Sequence, residues 1–499
     1  MSKFDKYNWA AKPEPISESE IIRTETYDVV IVGAGLSGVS AAVRSVENGL
    51  STTLLEKGRR NSARGLHVGV ANSRLLRENG IVNDINDIAE EWIKACHHNV
   101  KIDLIRLFLK ESEAAMDWIL DKTESRGIGA YIFGGGYHGQ AYREFVCTHI
   151  FAGGVEGIAD ILMEDALKLG LNVSWFTPAQ QLIKEGDRVT GVIAKTKEGY
   201  VRYMANKGVI LSTGDISGNR EMCEDLAPLS LKAMSNINHH APQLTGDGHK
   251  MGIWAGADMQ DGPFPCAIHI MAYSINSFFF LLVNQNGKRY MNEDTWAQGK
   301  ATYTIRQDPE HPWGYVIFDA NYLRDLENTI QYGGGLFWDS TVRALNAPFE
   351  TGPIKYAVET CVNEGQDGWM ADTIPELAEK LGIPAENLAA TVSRYNELCE
   401  KGYDEDYGKR PELLTPVKEG PFYALKISGA LLHIPAGLCV DTDMQVLSEN
   451  GEKIPGLYAI GNCAGNLYAV DYPLNINGSN HGRCITFGKY IADKLAGLK

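Results

Sequence analysis

Between Tyr27 and Lys57 the chain reads YDVVIVGAGLSGVSAAVRSVENGLSTTLLEK, with Gly33, Gly35 and Gly38 spaced as a pyrophosphate-binding turn requires. Gly33 permits the tight turn, Gly35 leaves no Cβ between backbone and phosphate, and Gly38 lets the next helix pack closely on the sheet. Leu36 and Ser37 complete the turn, and the helix predicted over 39–48 offers free N–H groups and its positive dipole end to the phosphates. Glu56 closes the second predicted strand, 51–55, where an acid accepts hydrogen bonds from an unphosphorylated adenosine ribose. The chemistry is dinucleotide binding, and this motif alone leaves FAD and NAD both open.

The elements that must position these residues recur at both ends of the chain. A buried run at 208–211 ends in Ser212-Thr213-Gly214, and another at 455–460 ends in Gly461-Asn462. Each is a point where backbone approaches a ligand. The pattern over 181–207 alternates as a β-meander with turns at Gly186-Asp187 and Glu198-Gly199. Gly478-Ser479 opens a last helix, predicted over 483–495. The middle differs, with a strand predicted over 278–283 and two capped helices over 374–381 and 388–399, and the last hundred residues return to the first style with a strand over 436–441.

Across 499 residues, 47 basic and 63 acidic side chains give a net charge of −16, which excludes nucleic acid and anionic membrane surfaces as natural partners. No apolar run reaches the roughly 18 residues that membrane insertion needs. The first 20 residues are too polar for a signal peptide and read as an exposed tail. Nine cysteines, an odd number with no C-x-x-C pair, predict neither haem, iron–sulfur nor zinc sites but reduced thiols in the cytoplasm. His97 and His98, adjacent on a helical pattern, point apart, so no metal site is expected.

Several ordered motifs go further: VGAGLSG with Glu56, GVILSTG at 208–214, TGDGHKMGIWAGA at 245–257, NQNGKRYMNE at 284–293, and IPGLYAIGNCAG with a closing ITFG. With them the chain, from about Tyr27 to Lys499, resembles the fumarate reductase/succinate dehydrogenase-type FAD flavoproteins, which include 3-ketosteroid dehydrogenases and urocanate reductases. The resemblance implies an α/β fold. A Rossmann-like FAD-binding domain is assembled from 26–244 and 431–499, after a tail over 1–25, with an inserted α+β capping domain over 245–430. It also implies FAD, held by Gly33, Gly35, Leu36, Ser37, Gly38, Glu56, Lys57, Asn61, Ser62, Thr213, Gly214, Asp247, Gly461, Asn462 and Ser479. The attachment His of succinate dehydrogenases has no counterpart near Asn61-Ser62, so noncovalent FAD is expected.

The catalytic motifs depart from the family's fumarate reductases. The Arg proton donor after the Asn-Glu pair is missing at 294–298, and Asp471-Tyr472 stands where their substrate Arg would be. His433 falls at their substrate-binding His. Tyr472-Pro473 resembles the Tyr-Pro with which 3-ketosteroid dehydrogenases bind a carbonyl. These matches imply reduction or formation of a C=C bond conjugated to a carbonyl, with a steroid-like enone as one candidate. Tyr472 and His433 face the substrate, and Tyr137, Tyr142 or Tyr290 transfers the proton. Two alternatives stay open: an acrylate-type reductase using His433 with Arg143 or Arg289, and a non-catalytic flavin electron-transfer subunit. Partners are a small molecule with an activated C=C bond and an external electron donor, either reduced flavin or a redox protein.

Overall fold

The run Asp28–Val32 has little to offer solvent, and the fold buries Val29–Val32 between two parallel neighbours, Thr52–Leu55 and Tyr200–Leu211. The computed structural model describes residues 2–133, 143–236, 241–271, 279–332, 349–365 and 367–499. Its first sheet runs in parallel order Lys453–Ala459, Tyr200–Leu211, Ile21–Val32, Thr52–Leu55, Asn172–Ser174. Gln445–Leu447 extends one edge antiparallel. The meander Ala179–Glu185 and Arg188–Lys195 leads into Tyr200–Leu211 through the predicted turns. Strands from both ends of the chain thus share one sheet. The helices Leu36–Glu47 and Ser479–Leu495 pack together over it, so closely that a Cβ on Gly488 would lie 2.7 Å from the Ser40 Cβ. This is the expected α/β architecture.

A second, six-stranded sheet centres on Phe422–His433, which pairs with Ser235–Asn236, Ala267–Met271, Trp313–Phe318 and Gly368–Ala371. No strand is predicted there from sequence, because Lys426, Ser428 and Gly429 break the alternation. Helices Ile374–Leu381, capped by Thr373 and ended by Gly382, and Ala385–Lys401 follow their sequence signals. Two expectations are corrected. The segment 436–441 forms only isolated bridges, from Leu438 to Met259 and Ala464 and from Val440 to Val446. The first ten residues are docked, not a free tail: Phe4 and Trp9 are buried, the Trp9 indole donates to Asp225 at 2.8 Å, and Lys3 pairs with Asp258 at 2.6 Å, while residues 11–15 and 17–20 are exposed as expected. Apolar rings outweigh the polar composition around them. Among the described residues no helix is long and apolar enough to cross a membrane.

Burial pushes the pKa of His67, His149, His249 and His481 down to about 4. Unfolded, each imidazole titrates near 6.5, so between these values the unfolded chain binds protons that the folded chain refuses. Stability is therefore full above about pH 6.5 and falls as pH drops toward 4. Melting temperatures between pH 7.5 and 5 should fall before most carboxylates titrate, and His149→Gln should flatten that decline. A flat profile over this range would contradict the assignment.

Candidate active site

Pairing of Val32 with Leu55 and Leu211, and of Leu211 with Ala459, sets the strand ends level. Gly33, Glu56, Ser212 and Ile460 therefore leave one edge of the sheet, the carboxyl edge where open α/β sheets bind ligands. An open cavity follows this edge. The glycine turn beside it is of two kinds. Gly33 has φ +103°, and a Cβ there would stand 2.6 Å from the Ser212 carbonyl oxygen; one on Gly38 would stand 1.9 Å from the Gly33 oxygen. The protein's own packing demands these two glycines. Gly35 differs: its φ of −72° suits any residue, and an added Cβ would find no protein atom nearer than Ser62 O at 3.8 Å. It lines the cavity, so a ligand is what its side chain would obstruct. As N-cap of the helix Leu36–Glu47 it supplies no side-chain cap, leaving first-turn N–H groups for that ligand.

Glu56 is oriented by the same turn: its two carboxylate oxygens accept from Ala34 N at 2.7 Å and Gly58 N at 2.6 Å. Each keeps a lone pair for another donor. Lys57 lies along the wall, paired with Asp247 at 2.7 Å and Thr245 at 3.0 Å. Burial alone would raise the Asp247 pKa, but the charge and hydrogen bond of Lys57, with Thr245 and Lys250, together outweigh it and hold the carboxyl below its ordinary value. Asn462 and Asn480 line the opposite side. Buried Arg483 donates to both amide oxygens, at 2.7 and 2.9 Å, so the amides keep their Nδ2 donors for an acceptor in the cavity. The i,i+3 spacing of Asn480 and Arg483 is the sequence signal for this arrangement, and it went unread.

His433 also lines the cavity, and its Nε2 is buried without a hydrogen-bond partner among the described residues. Burial, reinforced by Arg64, His481 and Arg483, drives its pKa well below 6.5, so the imidazole is neutral at neutral pH. The Tyr472 ring meets it edge-on, with centroids 4.9 Å apart. Tyr472 backs the wall and does not line it. Its hydroxyl accepts from Asn480 N at 3.2 Å and Ser479 Oγ at 3.4 Å, and burial raises its pKa, so it keeps its own proton to donate.

The other candidate residues divide between this cavity and sites elsewhere. Leu36, Ser37, Ser62, Thr213 and Gly214 line the cavity. Gly461 packs on Ser37, the Ser479 hydroxyl meets Tyr468 and Tyr472, and Asn61 turns outward to Asp160. The Tyr290 hydroxyl is bonded to Thr304 at 2.7 Å, beside a separate recess lined by Asn292, Asp294 and Tyr303. Tyr137 and Tyr142 lie outside the described residues. Arg143 reaches Asp87 at 3.5 Å, and Arg289 is enclosed by Glu293 and Asp404 at 2.7 and 2.8 Å. Neither lines the cavity. The guanidinium that does is Arg64, which faces Asp215, and neither was among the candidates.

A family model described as an FAD binding domain matches residues 28–478. The chain belongs to that family. The flavoprotein is 27% identical over 502 residues to a vinyl phenol reductase of Lactiplantibacillus plantarum, covering 94% of this chain and 95% of the relative. It is also 27% identical over 485 residues to an NADH:fumarate oxidoreductase of Klebsiella pneumoniae. That match covers 95% of this chain but only 48% of the relative, so the chain spans about half of that protein's length. Among solved structures, a 3-ketosteroid-Δ4-(5α)-dehydrogenase from Rhodococcus jostii RHA1 superposes with a TM-score of 0.75 at 22% identity. It covers 97% of this chain and 99% of its own, and shows a shared fold.

FAD is the cofactor of this family, and the flavoprotein's cavity suits it. The unobstructed approach at Gly35 suits a pyrophosphate, the oriented Glu56 suits a ribose, and the amide donors of Asn462 and Asn480 suit an acceptor-rich ring.

Proposed function

We propose that the flavoprotein reduces, or forms, a C=C bond conjugated to a carbonyl. When bound, FAD supplies or accepts the hydride at that bond. Gly33–Ser37 would hold its pyrophosphate, Glu56 its ribose, and Asn462 and Asn480 its ring. The reading is carried by one observation: a proton-bearing Tyr472 hydroxyl, itself accepting from Asn480 N, on a ring that packs edge-on against His433, whose Nε2 has no partner among the described residues. A conjugated carbonyl oxygen gains negative charge as the adjacent carbon framework exchanges hydride. A donor fixed in advance at that oxygen lowers the barrier. Tyr472, behind that wall, is the proposed donor, reached by a carbonyl seated past the His433 ring, and neutral His433 is a second contact to the substrate. The enone reading accords with the structural likeness to a dehydrogenase crystallised with 4-androstene-3,17-dione. A second reading, an acrylate-type reductase, is favoured by Arg64, the guanidinium of the cavity wall.

Turnover of the purified, FAD-loaded chain with dithionite-reduced methyl viologen tests both. The panel is fumarate, urocanate, a vinyl phenol and 4-androstene-3,17-dione. Reduction of the steroid enone supports the first reading, and reduction of only the acids supports the second. No turnover across the panel by a fully loaded chain would favour an electron-transfer subunit. The chain carries one dinucleotide fingerprint, so an external reduced flavin or redox protein is the expected electron source, and NADH should bleach the flavin slowly.

A further inference from the structure

On the side of Ala267–Met271, and among the described residues, the strand Phe422–His433 loses its regular pairing next to His433. Along Ala267–Met271 the pairing is continuous from Met271 to Ile268, opposite Ser428 to Leu431, and then slips, so that Ala267 meets His433 and Leu432 has no opposite residue. Side chains take over from the ladder at this point. The Arg64 guanidinium donates to the Leu432 carbonyl oxygen, and the Asp215 carboxylate accepts from Ile434 N at 3.1 Å. Asp215 is completely buried, and its other oxygen accepts from Ser217 N at 2.9 Å. Both side chains line the cavity. Both hang from segments pinned to the glycine turn or its strand, through Ser62 N to Ala34 O at 3.0 Å and Ser212 N to Val32 O at 2.9 Å.

We propose that Arg64 and Asp215 are positioning residues that grip the chain on either side of His433 and so set the direction in which its imidazole faces the cavity. The inference rests on the reading of His433 as a substrate contact. Arg64 satisfies a part-buried strand-end carbonyl and Asp215 a buried strand-end N–H, groups that cost free energy when left unpaired. Because the two residues follow cofactor-side segments while His433 ends the second sheet's central strand, the grip ties the substrate-facing imidazole to the FAD-binding edge.

The test uses the FAD-loaded chain, reduced viologen, and fumarate or 4-androstene-3,17-dione, whichever the parent reduces. Arg64→Ala and Asp215→Ala should each lower kcat by roughly 10²-fold, the scale of a side chain displaced by about 1 Å, with KM moving less. Asp215→Asn, which retains an oxygen for Ile434 N, and Arg64→Lys, which retains a donor for Leu432, should recover most of that loss. FAD content should stay at the parent's level throughout. In a His433→Ala background the added Asp215→Ala or Arg64→Ala change should cost almost nothing more, because coupled positions are not additive. Full additivity, or parent kcat in either alanine variant, would overturn the proposal. Parent kcat in His433→Ala alone is a separate outcome: it removes the role of His433 and, with it, the purpose of the grip. Should Asp215→Ala lose FAD or stability, the Arg64→Ala cycle decides.

Discussion

Gly35→Val should give a folded chain that no longer retains FAD. The backbone at Gly35, with φ −72° and ψ 176°, accepts a branched residue, and the nearest protein atom to its Cβ is 3.8 Å away. The fold loses only what an apolar N-cap costs relative to glycine, about 1 kcal/mol. The ligand loses much more. Valine methyls would occupy the approach to the helix N-terminus, and losing two charge-assisted hydrogen bonds of about 2 kcal/mol each weakens binding roughly 10³-fold. Gly33→Ala is the contrasting variant, since φ +103° and a contact of 2.6 Å with Ser212 O penalise the fold itself. The first variant should therefore be colourless with a near-parent apo melting temperature, and the second should melt early. Acid precipitation of the parent should release intact FAD into the supernatant. Flavin retained on the peptide would refute noncovalent binding, and a yellow Gly35→Val chain would place the pyrophosphate elsewhere.

The carboxyl edge of the first sheet was legible because its parts are local. Each apolar run of four or five residues ends in a glycine or an acid, and the glycines at 33, 214 and 461 have positive φ. What escaped the sequence is what forms over distance. Arg64 meets Leu432 across 368 residues and Asp215 meets Ile434 across 219, and no periodicity marks a side chain bonded to a remote backbone atom. The strand Phe422–His433 was hidden for a related reason. Its Gly429 lies so close to its neighbour that a Cβ would meet Ile268 at 2.7 Å, so burial there favours glycine over the branched residues that signal a strand. Phe4 and Trp9 were read as tail because their docking surface, including Asp225, lies more than two hundred residues downstream.

Tyr472→Phe should lower kcat by roughly 10²-fold or more, the loss seen when one preorganised donor is withdrawn from a developing oxyanion. The ring keeps its contacts with His433 and Tyr468, at 4.9 and 5.0 Å between centroids, so packing survives. Asn480 N and the Ser479 hydroxyl lose their acceptor, and an unpaired buried donor costs about 1–3 kcal/mol, lowering the melting temperature modestly. Stability and catalysis must therefore be separated. Tyr468→Phe does this: that hydroxyl donates to Ser479 Oγ at 3.0 Å, one step further along the same chain of hydroxyls. If Tyr472 acts on a substrate carbonyl, both variants melt somewhat early but only Tyr472→Phe loses turnover, with kcat falling while KM changes little. Equal, small losses in both would reduce Tyr472 to a packing residue behind His433. Loss of bound FAD in Tyr472→Phe would make it a cofactor residue, because the Asn480 N–H it holds belongs to the same residue whose amide lines the FAD cavity.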